Sequence, residues 1–141
     1  MKIGIDASPI IGDRGGVGWH TYYLLQAMLA AKQDVDFVAY LRPGSTPPEE
    51  IQGWPGSGHL HWVNASKWGM SRRGMTDRLD LYHGTNFRMH TTGRYGGIVT
   101  IHDLWLERFP EYSPKFFGQQ LSSYKTKRTI RRARKVITVS Q

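Results

Sequence analysis

The chain has 141 residues, of which 39% are hydrophobic and 21% charged, with a net charge of +8 and no cysteine. That length fits one domain with one core, hiding roughly 70% of the surface an unfolded chain would expose. The composition excludes a disordered polymer, the missing cysteine excludes disulfides and thiolate metal sites, and no apolar run approaches the ~18 residues of a membrane-spanning helix.

Met1-Lys2-Ile3-Gly4-Ile5-Asp6 opens the chain as a strand ending in an acid, not as a signal peptide, which needs a basic start and a longer apolar stretch. Ile3–Ala7 is the first of six short, nearly continuous apolar runs. A helix over Val17–Lys32 follows, with Val17, Leu24, Leu25, Met28 and Leu29 near helical spacing and Gly15, Gly16 and Gly18 at its mouth. Then come a strand at Val35–Leu41, a proline- and glycine-rich surface loop over Pro43–Gly58, and a strand at Leu60–Ala65. Lys67–Asp77 reads as a shorter helix interrupted by Gly69 and Gly74, before strands at Leu79–His83 and Ile98–Ile101. The last helix is expected over Ser113–Arg134, with Ser113 as N-cap, Pro114 at the first helical position and Leu121, Tyr124 and Ile130 packing it. The final strand is Val136–Val139, and the chain stops just after it at Ser140-Gln141, which reads as a boundary inside a longer protein.

Short apolar runs of this kind suit strands buried on both faces. Alternation with helices predicts an α/β fold: a Rossmann-like parallel sheet flanked by helices, with right-handed crossovers. In such sheets ligands bind beyond the carboxyl ends of the strands, so chemistry is sought in the residues just after each strand.

Gly15-Gly16-Val17-Gly18 lets backbone approach a ligand at a helix N-terminus, where free N–H groups favour an anion; the alternative is a flexible loop. It is not a dinucleotide fingerprint, because the third glycine of G-x-G-x-x-G is missing and the loop from Asp6 is long, and it is not a Walker loop. Ile101-His102-Asp103-Leu104 places a His and an Asp at a strand's carboxyl end, either for chemistry or with Asp103 capping a turn and His102 packing. Leu81-Tyr82-His83-Gly84-Thr85-Asn86 offers directional hydrogen bonds suited to hydroxyl-rich ligands, or is simply a polar turn. His59 and His61 alternate along a strand with no acid or cysteine at ligand spacing, so no metal site is expected.

From Lys125 to Lys135, seven of eleven residues are Lys or Arg. Helical neighbours lie about 100° apart, so these charges spread around the helix as a broad positive surface that attracts phosphates, or serve only as a solvated face.

Taken in order, Ile3-Gly4-Ile5-Asp6, Gly15-Gly16-Val17-Gly18, Leu81-Tyr82-His83-Gly84-Thr85-Asn86, Thr100-Ile101-His102-Asp103-Leu104 and Ala133-Arg134-Lys135-Val136-Ile137-Thr138-Val139-Ser140 resemble the N-terminal domain of family 4 (group 1) retaining glycosyltransferases. The resemblance implies that residues 1–141 form the N-terminal, acceptor-side half of a GT-B fold whose C-terminal, donor-binding domain lies beyond the sequence. It implies a nucleotide-sugar donor (a UDP- or GDP-sugar) held mainly by that second domain. It also implies a glycan or lipid-linked acceptor, as in envelope polysaccharide synthesis. Glycines 15, 16 and 18 with Val17 correspond to the loop that approaches the donor's diphosphate or sugar. His102 corresponds to the histidine that contacts the donor sugar, with Asp103 beside it, and His83, Thr85 and Asn86 fall on the acceptor side. No metal and no cofactor is implied, because helix dipoles and basic residues stabilise the leaving diphosphate.

The expected setting is cytoplasmic, with peripheral attachment at the anionic inner membrane face through the basic helix. Two departures stand out: Ala133-Arg134-Lys135-Val136 where the family has an acid before the last strand, and Gln141 where it commonly has Glu. Two other classes stay open. A basic nucleic-acid-binding α/β domain would explain the last helix but not the glycine loop. The aromatic residues are scattered rather than set as a stacking platform, so no nucleic acid is expected. An NAD(P)-dependent Rossmann oxidoreductase would explain the α/β pattern but lacks its fingerprint.

Overall fold

The computed structural model describes residues 1–31, 34–104, 108–109 and 116–139, the side chains of 116–122 excepted. Six parallel strands form one sheet: β1 (Lys2–Asp6), β2 (Asp36–Leu41), β3 (Leu60–Asn64), β4 (Leu81–Gly84), β5 (Gly97–Ile101) and β6 (Lys135–Thr138). Their spatial order, β3-β2-β1-β4-β5-β6, is that of the doubly wound Rossmann sheet, and the order reverses between β1 and β4. Among the described residues three α-helices accompany it: α1 (Gly16–Ala31), α2 (Lys67–Thr76) and α3 (Phe116–Arg132). The α/β reading of the sequence therefore holds, strand by strand and within a residue or two at most ends.

Two cores lie on opposite faces, because successive side chains of a strand point to opposite sides. On one face α1 buries Thr21, Leu25 and Leu29 against Ile5, Phe37, Ala39 and Leu41. On the other, Met70 of α2 joins Val38, Tyr40, Leu79 and Tyr82, with Met89 against them. Tyr40 donates its hydroxyl to Asp77 at 2.6 Å, and burial together with that carboxylate drives the phenol's pKa far above its usual value. Ser66 caps α2 by accepting from the Gly69 N–H at 3.1 Å, and Gly74 lets the helix approach the Thr91 side chain and the Thr92 carbonyl.

Three expectations need correction. The stretch 43–58 is more than a surface loop. It holds 3-10 turns at Glu49–Gly53 and Ser57–His59, buries Ile51, and sets Trp54 edge-on to Tyr22 with centroids 4.6 Å apart. It thus does the covering that a helix would do in the β2–β3 crossover, with too few apolar residues to signal itself. The final strand forms at the edge of the sheet, but all of β6 is exposed. In α3, Tyr124 is 61% exposed rather than packed, and among its described side chains Thr126 and Thr129 are the buried ones, that of Leu121 lying outside the described residues. Ser113, Pro114, Ser140 and Gln141 lie outside the described residues.

Candidate functional site

The reversal of strand order leaves a crevice at the carboxyl ends of β1 and β4, where doubly wound sheets bind ligands. Here the chain is tied tightly. Thr85, fully buried just after β4, donates its hydroxyl to the Asp6 carbonyl of β1 at 2.6 Å. Its own carbonyl accepts from His102 Nε2, just past β5, at 2.7 Å. A carbonyl can only accept, so Nε2 carries the proton and the tautomer of a neutral His102 is fixed.

Phe87 adopts the left-handed backbone region (φ 54°), rare for an aromatic residue, while its N–H bonds the Thr100 carbonyl at 3.0 Å. That turn brings its ring to 5.7 Å from His102. It also presses the Arg88 carbonyl onto the α-carbon of Gly84, where any side chain would collide.

Two further histidines converge on His102. His20, in the second turn of α1, meets it edge-to-face with centroids 5.0 Å apart. Burial first, and the neighbouring His102 second, lower the His20 pKa. His83 of β4 is buried and bonded to the Thr100 hydroxyl at 2.8 Å; burial, then His20, bring its pKa down to about 4. His20 and His83 are therefore neutral at pH 7, and His83 is a fixed strut with its Nε2 occupied.

The glycine mouth lies beside this cluster at the start of α1. A side chain at Gly15 or Gly16 would meet nothing within 4 Å, whereas one at Gly18 would come 2.6 Å from the Pro9 carbonyl. Gly18 is thus required by packing, while nothing in the described fold requires glycine at 15 or 16. Val17 is half-buried between them, and its carbonyl accepts from the Thr21 hydroxyl at 2.8 Å.

On the opposite face the character changes. A groove of about 370 Å3 follows the strand ends past Asp6, Arg42, Lys67, Asn86, Arg88 and His90. Asp6 is held there by the Ser8 N–H at 3.1 Å and stands 4.0 Å from His90 Nε2. The His90 pKa is lowered by burial, raised by Asp6 and lowered again by Lys67 and Arg88.

The fold therefore gathers the residues singled out from sequence at one sheet edge, in different roles. His102 is half-buried and Asp103 exposed; Asn86 is exposed at the rim; His83 and Thr85 are buried with their polar atoms bonded internally. Sequence reasoning passed over His20, Phe87, Lys67, Arg88 and His90. His20 had a signal, since it stands just past the glycines at the mouth of a predicted helix. Phe87 had none, because its backbone conformation is set by the β4–β5 connection.

The model of Glycosyltransferase Family 4 matches residues 14–141 of the chain. No curated protein and no solved structure matches it.

Proposed function

The chain belongs to glycosyltransferase family 4, and from that membership we propose that residues 1–141 are the N-terminal, acceptor-side half of a retaining GT-B enzyme. Its reaction moves a sugar from a UDP- or GDP-sugar to a glycan or lipid-linked acceptor. The donor is held chiefly by a second, C-terminal Rossmann domain, and the crevice at β1 and β4 forms the acceptor wall of the interdomain cleft. The work is cytoplasmic, at the inner membrane face.

The observation that best supports this reading is the fixing of His102 by the Thr85 carbonyl beside the open mouth of α1. With Nε2 committed, Nδ1 of the neutral ring is the nitrogen left to accept from a sugar hydroxyl. Hydrogen bonds held in place before substrate arrives cost no reorganisation when charge develops at the reacting sugar. Gly15 and Gly16 leave room for the donor's diphosphate against the α1 N-terminus, whose free N–H groups and dipole favour an anion. Val17 and Gly18 hold that turn. Asp103, exposed beside His102, is placed with it at the sugar. On the acceptor side Asn86 makes direct contact, with Thr85 and His83 fixing the backbone behind it.

Half of a two-domain cleft cannot hold donor and acceptor together, and positioning is a large share of catalysis. Residues 1–141 alone are therefore expected to show no transfer and only weak nucleotide-sugar binding. Turnover by this segment, measured with labelled donors, would contradict the two-domain reading.

A further inference from the structure

On the sheet face opposite α1, a cavity of about 420 Å3 lies between the start of α2, the segment after β4 and α3. Lys67 enters it from α2, Arg88 from the segment after β4, and Lys125, Arg128 and Arg132 from α3, with Thr129 between them. The α3 residues stand three and four positions apart, so they share one side of the helix. Among the described residues the lining holds no Asp or Glu. Two cations outside it are matched with acids, Arg14 with Glu50 at 2.6 Å and Arg73 with Asp77 at 3.4 Å. Asp6, in the adjoining groove, is engaged by Ser8 and His90.

Lys67 of α2 and the three cations of α3 repel one another, and a concave wall concentrates their field. An anion offsets that repulsion, and Arg can grip phosphate oxygens in pairs. The cavity shares Lys67, Arg88 and His90 with the groove along the strand ends, so the two are continuous. A phosphate seated in the cavity would direct whatever it carries along that groove past Asn86, towards the crevice. The glycine mouth lies on the α1 side of the sheet, so these two anion-attracting features do not compete for one phosphate.

We infer that this cavity binds the phosphate or pyrophosphate group of a phosphorylated acceptor. The ligand's part in a transfer reaction rests on the transferase reading, but the anion site is tested without turnover, so either can fail alone.

The test titrates the chain with inorganic pyrophosphate at low ionic strength, by calorimetry. Saturable binding is expected, weakened at least tenfold by Arg128→Gln with Arg132→Gln, since each removes charge-assisted hydrogen bonds. Arg131→Gln with Lys135→Gln removes equal charge from exposed positions outside the cavity and should change binding less than about twofold. Melting followed by circular dichroism confirms that both pairs fold. Vesicles of phosphatidylcholine with phosphatidylglycerol identify the source. Release from them by pyrophosphate indicates a lipid headgroup; pyrophosphate binding without vesicle binding indicates a soluble phosphorylated acceptor. No saturable pyrophosphate binding, or equal losses in the two variant pairs, would overturn the inference.

Discussion

The two faces of the sheet meet the same strand ends with opposite electrostatics. On the α1 face, His20 and His83 are held neutral by burial beside His102, and the polar groups are pinned by hydrogen bonds of 2.7–2.8 Å. On the other face, Lys67, Arg88 and the α3 cations line a cavity with no acid among its described residues. A neutral, pre-set hydrogen-bonding surface suits sugar hydroxyls, whereas converging cations suit phosphate. The difference teaches that one crossing of the chain, from β4 through Gly84 and Thr85 to Arg88, serves both faces.

That crossing is where the comparison breaks most completely. Gly84→Ala puts a methyl group into the Arg88 carbonyl, which cannot give way without moving Thr85 and Phe87 as well. A loss of about 3 kcal/mol or more is expected, at the severe end of overpacking effects. Denaturant melts of the variant check it. An unchanged midpoint would mean that the close approach at Gly84 does not set the two faces.

Acid attacks the neutral face selectively. Above pH 6.5 His83 is uncharged folded and unfolded, so it contributes no pH dependence. Between 6.5 and about 4 the unfolded chain binds the proton and the folded chain does not, so stability falls as pH falls. The contribution from His83 reaches about 3 kcal/mol at most, by the 1.36 kcal/mol per pKa unit conversion. His20 and His90, also lowered, act in the same direction. His83→Asn should flatten the stability profile between pH 6.5 and 4, measured by urea melts at stepped pH. An unaltered slope would remove His83 from the account.

The glycines sharpen the distinction between fold and function at the mouth of α1. Gly18→Ala, meeting the Pro9 carbonyl and Arg14, should cost about 1–3 kcal/mol. Gly15→Ala and Gly16→Ala meet open space at ordinary backbone angles and should leave the melting midpoint within about 0.5 kcal/mol. Under the proposed transferase reading, Gly16→Val in the two-domain enzyme should nevertheless damage donor use, because it fills the space proposed for the donor.

Much of this fold was legible in the sequence because buried parallel strands leave continuous apolar runs, and all six stood out. The crossover over 43–58 was not legible, since its covering depends on Ile51 and Trp54 alone. The packing face of α3 was misread at Tyr124, because its two buried threonines carry no hydrophobic signal. At the site, His102 and the glycine mouth stand next to predicted element ends and could be named. His20, just past those glycines, could have been named too; the basic cavity could not, because it arises from helix faces and segments brought together only by topology. The basic run in α3 was visible, but only the structure separates Lys125, Arg128 and Arg132, which line the cavity, from Arg131 and Lys135, which do not.

The central claim concerns His102, and turnover of the proposed two-domain enzyme tests it most directly. His102→Ala, compared with wild type on a panel of UDP- and GDP-sugars, should lower turnover about a hundredfold or more, in line with the loss of a pre-set transition-state contact. The unfolding free energy should fall only by the worth of one hydrogen bond, about 1 kcal/mol. Turnover within a few-fold of wild type would contradict the account.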